Sequence, residues 1–220
     1  MDVALIRPEY EIFLRKASAL LPGTLFLQNS RTDPLFPQLY SKLRRNGTSY
    51  VEQRMAHLPI HHGIFIDIFP LDGLPENRLK AWWVNQQVRM AKLKLLCAYG
   101  AGGNWKEQMI RRTGRMLGWH RHMQRTIQRA EKVISAYDPR TAACWCCYGN
   151  WRVSRDCVPK EQYGNGEPAL FEGLPVRIPS CSNDYLTRCY GDWQADLPVH
   201  EQHGRAAAID LHSDRLWRQP

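Results

Sequence analysis

Residues His61–Gly73, HHGIFIDIFPLDG, constrain the chain more than any other stretch. The apolar run Ile64–Phe69 is interrupted once, by Asp67. Branched and aromatic residues at both parities (Ile64, Phe65, Ile66, Ile68, Phe69) predict a short strand buried on both faces. Pro70 and Pro75 read as its stop and Asp72-Gly73 as a turn. A carboxylate among such neighbours is costly to bury unless a metal or cation lies beside it. Asp67 therefore faces a metal, pairs with a nearby arginine, or caps a local turn. The residues alone leave these open.

At 220 residues with 44% hydrophobic content and eight Trp, the chain can bury a core and is not disordered. One domain over residues 1–220 is the economical expectation. The net charge of +9 favours an anionic partner. Nine Lys/Arg stand against three Asp/Glu between Asn104 and Arg140, so +6 of that charge sits there. No apolar run approaches the roughly 20 residues that span a bilayer. The N-terminus, MDVALIRPEYEIF, carries no export signal. A cytoplasmic protein with its seven irregularly spaced cysteines reduced is the resulting expectation.

Along the chain, Asp2–Ile6 reads as a strand. A helix opens at Arg7-Pro8-Glu9-Tyr10, with Ile12, Phe13, Ala17, Leu20 and Leu21 as its buried face and Pro22-Gly23 as its end. Thr24–Asn29 and Thr48–Val51 read as strands, with a short segment at Tyr40–Leu43 between them. Arg78–Tyr99 is helical, with Trp82, Trp83, Val88, Ala91, Leu95 and Leu96 available for burial. Trp105–Tyr137 reads as one long helix through Ile110, Leu117, Met123, Ile127, Ala130 and Ile134. Ala142–Trp151 and Val153–Val158 are strand-like or irregular. Leu170–Ile178 predicts a hairpin, and Asn183–Cys189 a short helix before Tyr190-Gly191-Asp192-Trp193. Residues 199–220 read as a polar, frayed tail.

Two acids stand out. Asp2 precedes Val-Ala-Leu-Ile and Asp67 lies between isoleucines. Carboxylates from adjacent strands can hold one Mg²⁺, with substrate phosphates completing its octahedron. That arrangement serves phosphoryl transfer. A solvated Asp2 and a hydrogen-bonded Asp67 are the structural alternative. Lys42 and Arg44 suit a diphosphate or form a solvated basic face. His61 and His62, adjacent on a strand, point to opposite faces and do not share a zinc ion. The cysteines contain no CxxC pair and read as buried thiols. Gly100–Gly103 has neither dinucleotide nor P-loop spacing and reads as a loop. The basic segment 105–137 either lies on an anionic membrane or packs on the core. No nucleic-acid recognition motif accompanies the charge, and no nucleic-acid partner is expected.

Taken in order, these segments resemble the LicD family of phosphocholine transferases, related to fukutin and the fukutin-related protein. The matching pieces are Asp2-Val3, Arg7–Phe13, Leu25–Gln28, Tyr40–Arg44 with Asn46-Gly47-Thr48, and His61–Gly73. Val158-Pro159-Lys160, Phe171-Glu172-Gly173, Val176–Pro179, Asp184-Tyr185-Leu186 and Tyr190-Gly191-Asp192 follow. The resemblance implies an α+β, nucleotidyltransferase-like mixed sheet flanked by helices, and a divalent metal, Mg²⁺ or Mn²⁺. It implies transfer of a phosphorylated headgroup, typically phosphocholine, from a CDP-linked donor such as CDP-choline to a cell-surface glycan or lipid-linked glycan (lipopolysaccharide, teichoic acid or capsule).

On that reading Asp2 and Asp67 are the metal-facing, catalytic acids. Lys42 and Arg44 lie near the donor phosphates, His61, His62 and Asp72 belong to the substrate-binding block, and Tyr190 and Asp192 close the site. The family carries an upstream helix and a Trp-Asp-Asp-Asp-hydrophobic-Asp run, of which Met1-Asp2 matches the end. Either the reading frame extends upstream of Met1, or the chain is a shortened relative that binds nucleotide or glycan without turnover. A third expectation, in another class, is a basic adaptor on the membrane surface.

Overall fold

The computed structural model describes residues 2–100, 104–149, 157–196 and 206–215. It is an α+β fold built on a mostly antiparallel sheet flanked by helices. Strands β1 (Asp2–Ile6), β2 (Leu25–Gln28), β3 (Ser41–Arg45), β5 (Phe65–Gly73), β6 (Cys144–Cys146) and β7 (Cys157–Pro159) form it. The order is β2-β3-β5-β6-β7, with β1 parallel to β5 on the latter's other edge. Strand β4 (Ser49–Glu52) pairs with β10 (Ala206–Asp210), and β8 (Glu167–Phe171) with β9 (Leu174–Ile178).

The apolar run thus becomes the central strand, longer than expected, because Pro70 does not stop it. β3 pairs β5 only as far as Ser41↔Ile68, and β6 begins at Asp72↔Cys146. On the edge shared by β3 and β6, Pro70 falls in the gap between these two ladders, where a missing N–H costs nothing, while on the other edge it is level with Leu5 of β1. The hairpin over Leu170–Ile178 is present, with Glu172 and Gly173 at positive φ in a two-residue turn.

Helix α1 (Arg7–Leu20) starts with Pro8 in its first turn and buries Tyr10 and Ala17, leaving Ile12 and Leu20 exposed. It packs beside β5, and its Tyr10 Oη lies 2.6 Å from Ser41 Oγ at the start of β3. Helix α2 (Arg78–Leu95) is capped by the Asn77 side chain and continues into a 3₁₀ turn, Leu96–Ala98. Its inward stripe is Val84, Val88, Ala91 and Leu95. That spacing of four, three and four turns the two tryptophans outward, Trp82 to 61% and Trp83 to 48% exposure, so the expectation of their burial is corrected.

The long basic helix is also corrected. It divides into α3 (Trp105–Met116), a 3₁₀ turn (Trp119–His122) and α4 (Met123–Ile134). The break is at Gly118, whose φ of +70° is open to glycine at little cost and ends α3. α4 inserts Met123, Ile127, Ala130 and Ile134 against α2, forming the largest apolar cluster with Tyr148 and Cys146.

Helices α5 (Lys160–Tyr163) and α6 (Ser182–Tyr190) complete the described elements. Among the described residues no helix is long and apolar enough to cross a membrane. Two further expectations are revised. Residues 206–210, assigned to a frayed tail, form β10; the rest of that tail, 199–205 and 216–220, lies outside the described residues apart from 211–215. Residues 150–156, within the stretch read as strand-like or irregular, lie outside them too. Cys146 and Cys157, read as free thiols, are register partners on β6 and β7 and are joined as a disulfide. Among the described residues Cys97, Cys144 and Cys181 are free thiols.

Candidate functional site

The sheet's register assembles a row of polar side chains across four strands. Asp2 is level with Asp67 on the parallel pair β1–β5, Asp67 with Lys42 on β3, and Lys42 with Gln28 on β2. Residues level with one another on neighbouring strands point to the same face. Arg44, two residues from Lys42, joins that face and is level with Phe65. Glu52, the last residue of β4, reaches in to meet both cations.

The contacts are close and mostly buried. Lys42 Nζ lies 3.0 Å from Asp67 Oδ1 and 3.4 Å from Glu52 Oε1. At 3.0 Å the Lys42–Asp67 contact is a close ion pair. The Lys42 ammonium also sits 3.2 Å from the Phe65 ring centroid, and the Arg44 guanidinium carbon 4.7 Å from it.

Arg44 has no exposed surface. It donates to Gln28 Oε1 at 2.5 Å, to Gly63 O at 2.7 Å and to Glu52 Oε2 at 3.2 Å. Gln28 is fixed in turn by donating to Asp33 Oδ2 and His61 O. Lys42 and Arg44 are therefore spent inside the fold, neither solvated nor open to a diphosphate in the way their sequence pattern predicts.

Glu52 and Asp67 act on the two cations Lys42 and Arg44, and the exposed Asp2 acts on Asp67, so the row sets three carboxylates against two cations. Burial raises the Asp67 carboxyl above its usual range; Asp2 and Glu52 push it the same way, and Lys42 opposes them. Burial likewise lowers Lys42 and Arg44, against the pull of Glu52 and Asp67. Such an excess favours an additional cation at the exposed Asp2 end of the row. Among the described residues no set of three or more His, Cys, Asp or Glu converges as a metal cage. Asp2 and Asp67 supply two carboxylates on one face, a number Mg²⁺ commonly takes from protein when phosphates and water complete its shell.

The other candidates are placed elsewhere. Asp72 is five residues beyond Asp67, hence on the opposite face, where it is buried in a bidentate pair with Arg7. His61 stacks on Phe26 with ring centroids 5.0 Å apart. Its Nδ1 accepts from Gly63 N, which assigns Nε2–H as donor to Asn46 Oδ1. Tyr190 and Asp192 are exposed at and beyond the end of α6, which packs on α5. Glu52, Gln28, Asp33 and Phe65 were not legible as site residues. Glu52 stands in a separate ladder, and no spacing links it to Lys42.

His62 is buried, with its Nε2 3.1 Å from Leu58 O, and burial lowers its pKa below 6.5. The unfolded chain then takes up a proton near pH 6.5 that the folded chain refuses. Stability from this residue is complete above pH 6.5 and is lost as pH falls toward the folded value. The effect is about 1.4 kcal/mol for each unit of lowering. Melting curves between pH 7.5 and 5.5 are expected to fall less steeply in His62→Gln than in the parent; identical slopes would remove His62 from the pH response.

No protein-family model, curated protein or solved structure matches the chain.

Proposed function

We propose that this chain is a LicD-like transferase domain of nucleotidyltransferase-like architecture. It moves a phosphorylated headgroup, typically phosphocholine, from a CDP-linked donor to a hydroxyl of a cell-surface glycan. The observation that carries the reading is the Asp2–Asp67 pair, level on parallel central strands, on one face, within a cluster of surplus negative charge. Asp2 and Asp67 would hold Mg²⁺, which supplies charge neutralisation to the donor's phosphates. The acceptor oxygen attacks the β-phosphorus, its bond to CMP breaks, and the hydroxyl proton leaves to solvent or a base. Lys42 keeps Asp67 ionised and oriented, and Glu52 with Arg44 holds Lys42 in place.

A second reading has an observation of its own. Lys42 already neutralises Asp67 at 3.0 Å, as expected of a relative that binds nucleotide without turnover. Incubation with CDP-choline and a glycan acceptor separates the two. The transferase reading expects CMP release with Mg²⁺ and none with chelator. Calorimetric binding of CDP without CMP release assigns the second reading, and neither signal overturns both.

A further inference from the structure

We propose that α3 is an interfacial helix that docks the protein on an anionic lipid bilayer, an inference independent of the transferase reading. Trp105, Met109 and Met116 are 65%, 56% and 88% exposed. Steps of four and seven place them in one stripe along the helix, with Arg112 between Met109 and Met116. Large apolar side chains in that pattern normally face a core. Here the stripe faces out.

The inner face explains why it stays out. Ile110 packs against the cluster of Phe36, Met55 and Tyr99. Gly114 lies so close to Cys97 Sγ and the Trp119 ring that a Cβ there would collide with both. Asn104 caps the first turn through Glu107 N, fixing where the helix begins. Rotation to bury the stripe would lift Gly114 from its seat and replace it with side chains too large for the gap.

Charge selects the occupant. Glu107 is the one acid of α3, and it is turned to Arg54 at 2.7 Å. The outer arc is left with Lys106 and Arg112 and no carboxylate, while Arg115 turns to Cys97 O at 3.3 Å and Tyr99 O at 3.5 Å. On the flank of the stripe, Gln108 and three arginines face Tyr99 and Gly100 across an open cavity of about 260 Å³. Arginines bordering a recess suit lipid phosphates. Apolar residues would enter the acyl boundary while basic stems snorkel to the headgroups. A second copy presents the same positive surface and repels it. Of the basic segment read as 105–137, only the α3 part serves this role, because α4 spends its apolar face on the core.

The test is sedimentation with vesicles of phosphatidylcholine mixed with phosphatidylglycerol, beside vesicles of phosphatidylcholine alone. The full chain should pellet with the anionic vesicles, more weakly at high salt, and little with neutral ones. Lys106→Gln/Arg112→Gln should weaken binding about tenfold or more, since each basic residue near the surface contributes roughly fivefold. Trp105→Ser/Met116→Ser should weaken it by a similar factor at every salt concentration; both pairs are exposed, and unchanged melting curves would verify their folding. Equal binding to both vesicle types, or parent-like binding by both variants, overturns the proposal. So does competition by millimolar inorganic phosphate, which would make the cavity a free-anion site, or self-association that Trp105→Ser/Met116→Ser abolishes.

Discussion

Replacing Arg7 with methionine is expected to remove about 3–5 kcal/mol of folding stability, among the largest losses available to a single substitution here. Arg7 Nε and Nη2 reach the two Asp72 oxygens at 2.6 and 2.7 Å, and the side chains are 8% and 0% exposed. Arg7 opens α1, where a positive charge opposes the helix dipole, so without Asp72 it would be doubly misplaced. Removing the guanidinium strands a carboxylate on the central strand with no water to take over. Arg7→Met/Asp72→Leu, which removes both charges, should recover most of the loss, because a packed apolar pair often matches a buried ion pair. Urea denaturation of these proteins and of Asp72→Leu, four in all with the parent, closes the cycle. A loss under about 1 kcal/mol in Arg7→Met would mean that the pair behaves as an exposed one.

Asp67→Asn is expected to lower CMP release by about a thousandfold or more, equivalent to roughly 4 kcal/mol of barrier. On the proposed transferase reading the variant loses the charge that would face the donor while keeping the side chain's shape. Stability should follow a different course. Because Asp67 is raised by burial and by Asp2 and Glu52, its ionisation opposes folding as pH climbs from 3.8 through the folded value. Asparagine removes that cost, and Glu52 still neutralises Lys42 at 3.4 Å. The melting temperature at neutral pH should therefore hold within a few degrees while turnover collapses. A variant that turns over like the parent would falsify the placement of Asp67 in the mechanism. One that unfolds would make Asp67 a structural counter-ion of Lys42.

How much of this was legible beforehand varies with the range of the interaction. Local signals were sound: Pro8 opening α1, the strands read at Thr24–Asn29 and Thr48–Val51 that appear as β2 and β4, and the hairpin read at Leu170–Ile178. The two acids were singled out from their neighbours, and the register that levels Asp2 with Asp67 is consistent with that reading without naming a reaction. Failures came where a tertiary partner decides. On one edge of the central strand Pro70 is tolerated because β3 has ended and β6 has not begun. The orientation of Trp82 and Trp83 follows from α4 meeting the other stripe of α2. Cys146 and Cys157 pair because β6 and β7 do. Lys42 and Arg44 read as surface cations, since nothing near them in sequence announces Glu52 or the burial that makes them internal.

Glu52 owes its position to a strand whose only ladder partner among the described residues is β10, and Ser49 Oγ donates to Ser213 O at 2.6 Å. β4 is also tied to the residues just before the central strand, where Tyr50 N donates to His62 O at 2.6 Å, so the counter-charge for Lys42 and Arg44 is secured in part by residues synthesised some 150 positions later. On a ribosome the strand that carries their counter-charge gains its ladder partner only once almost the whole polypeptide has emerged. A nonsense codon before Ala206 would leave a nascent product whose central sheet can form while its ionic centre stays open to chaperones and proteases.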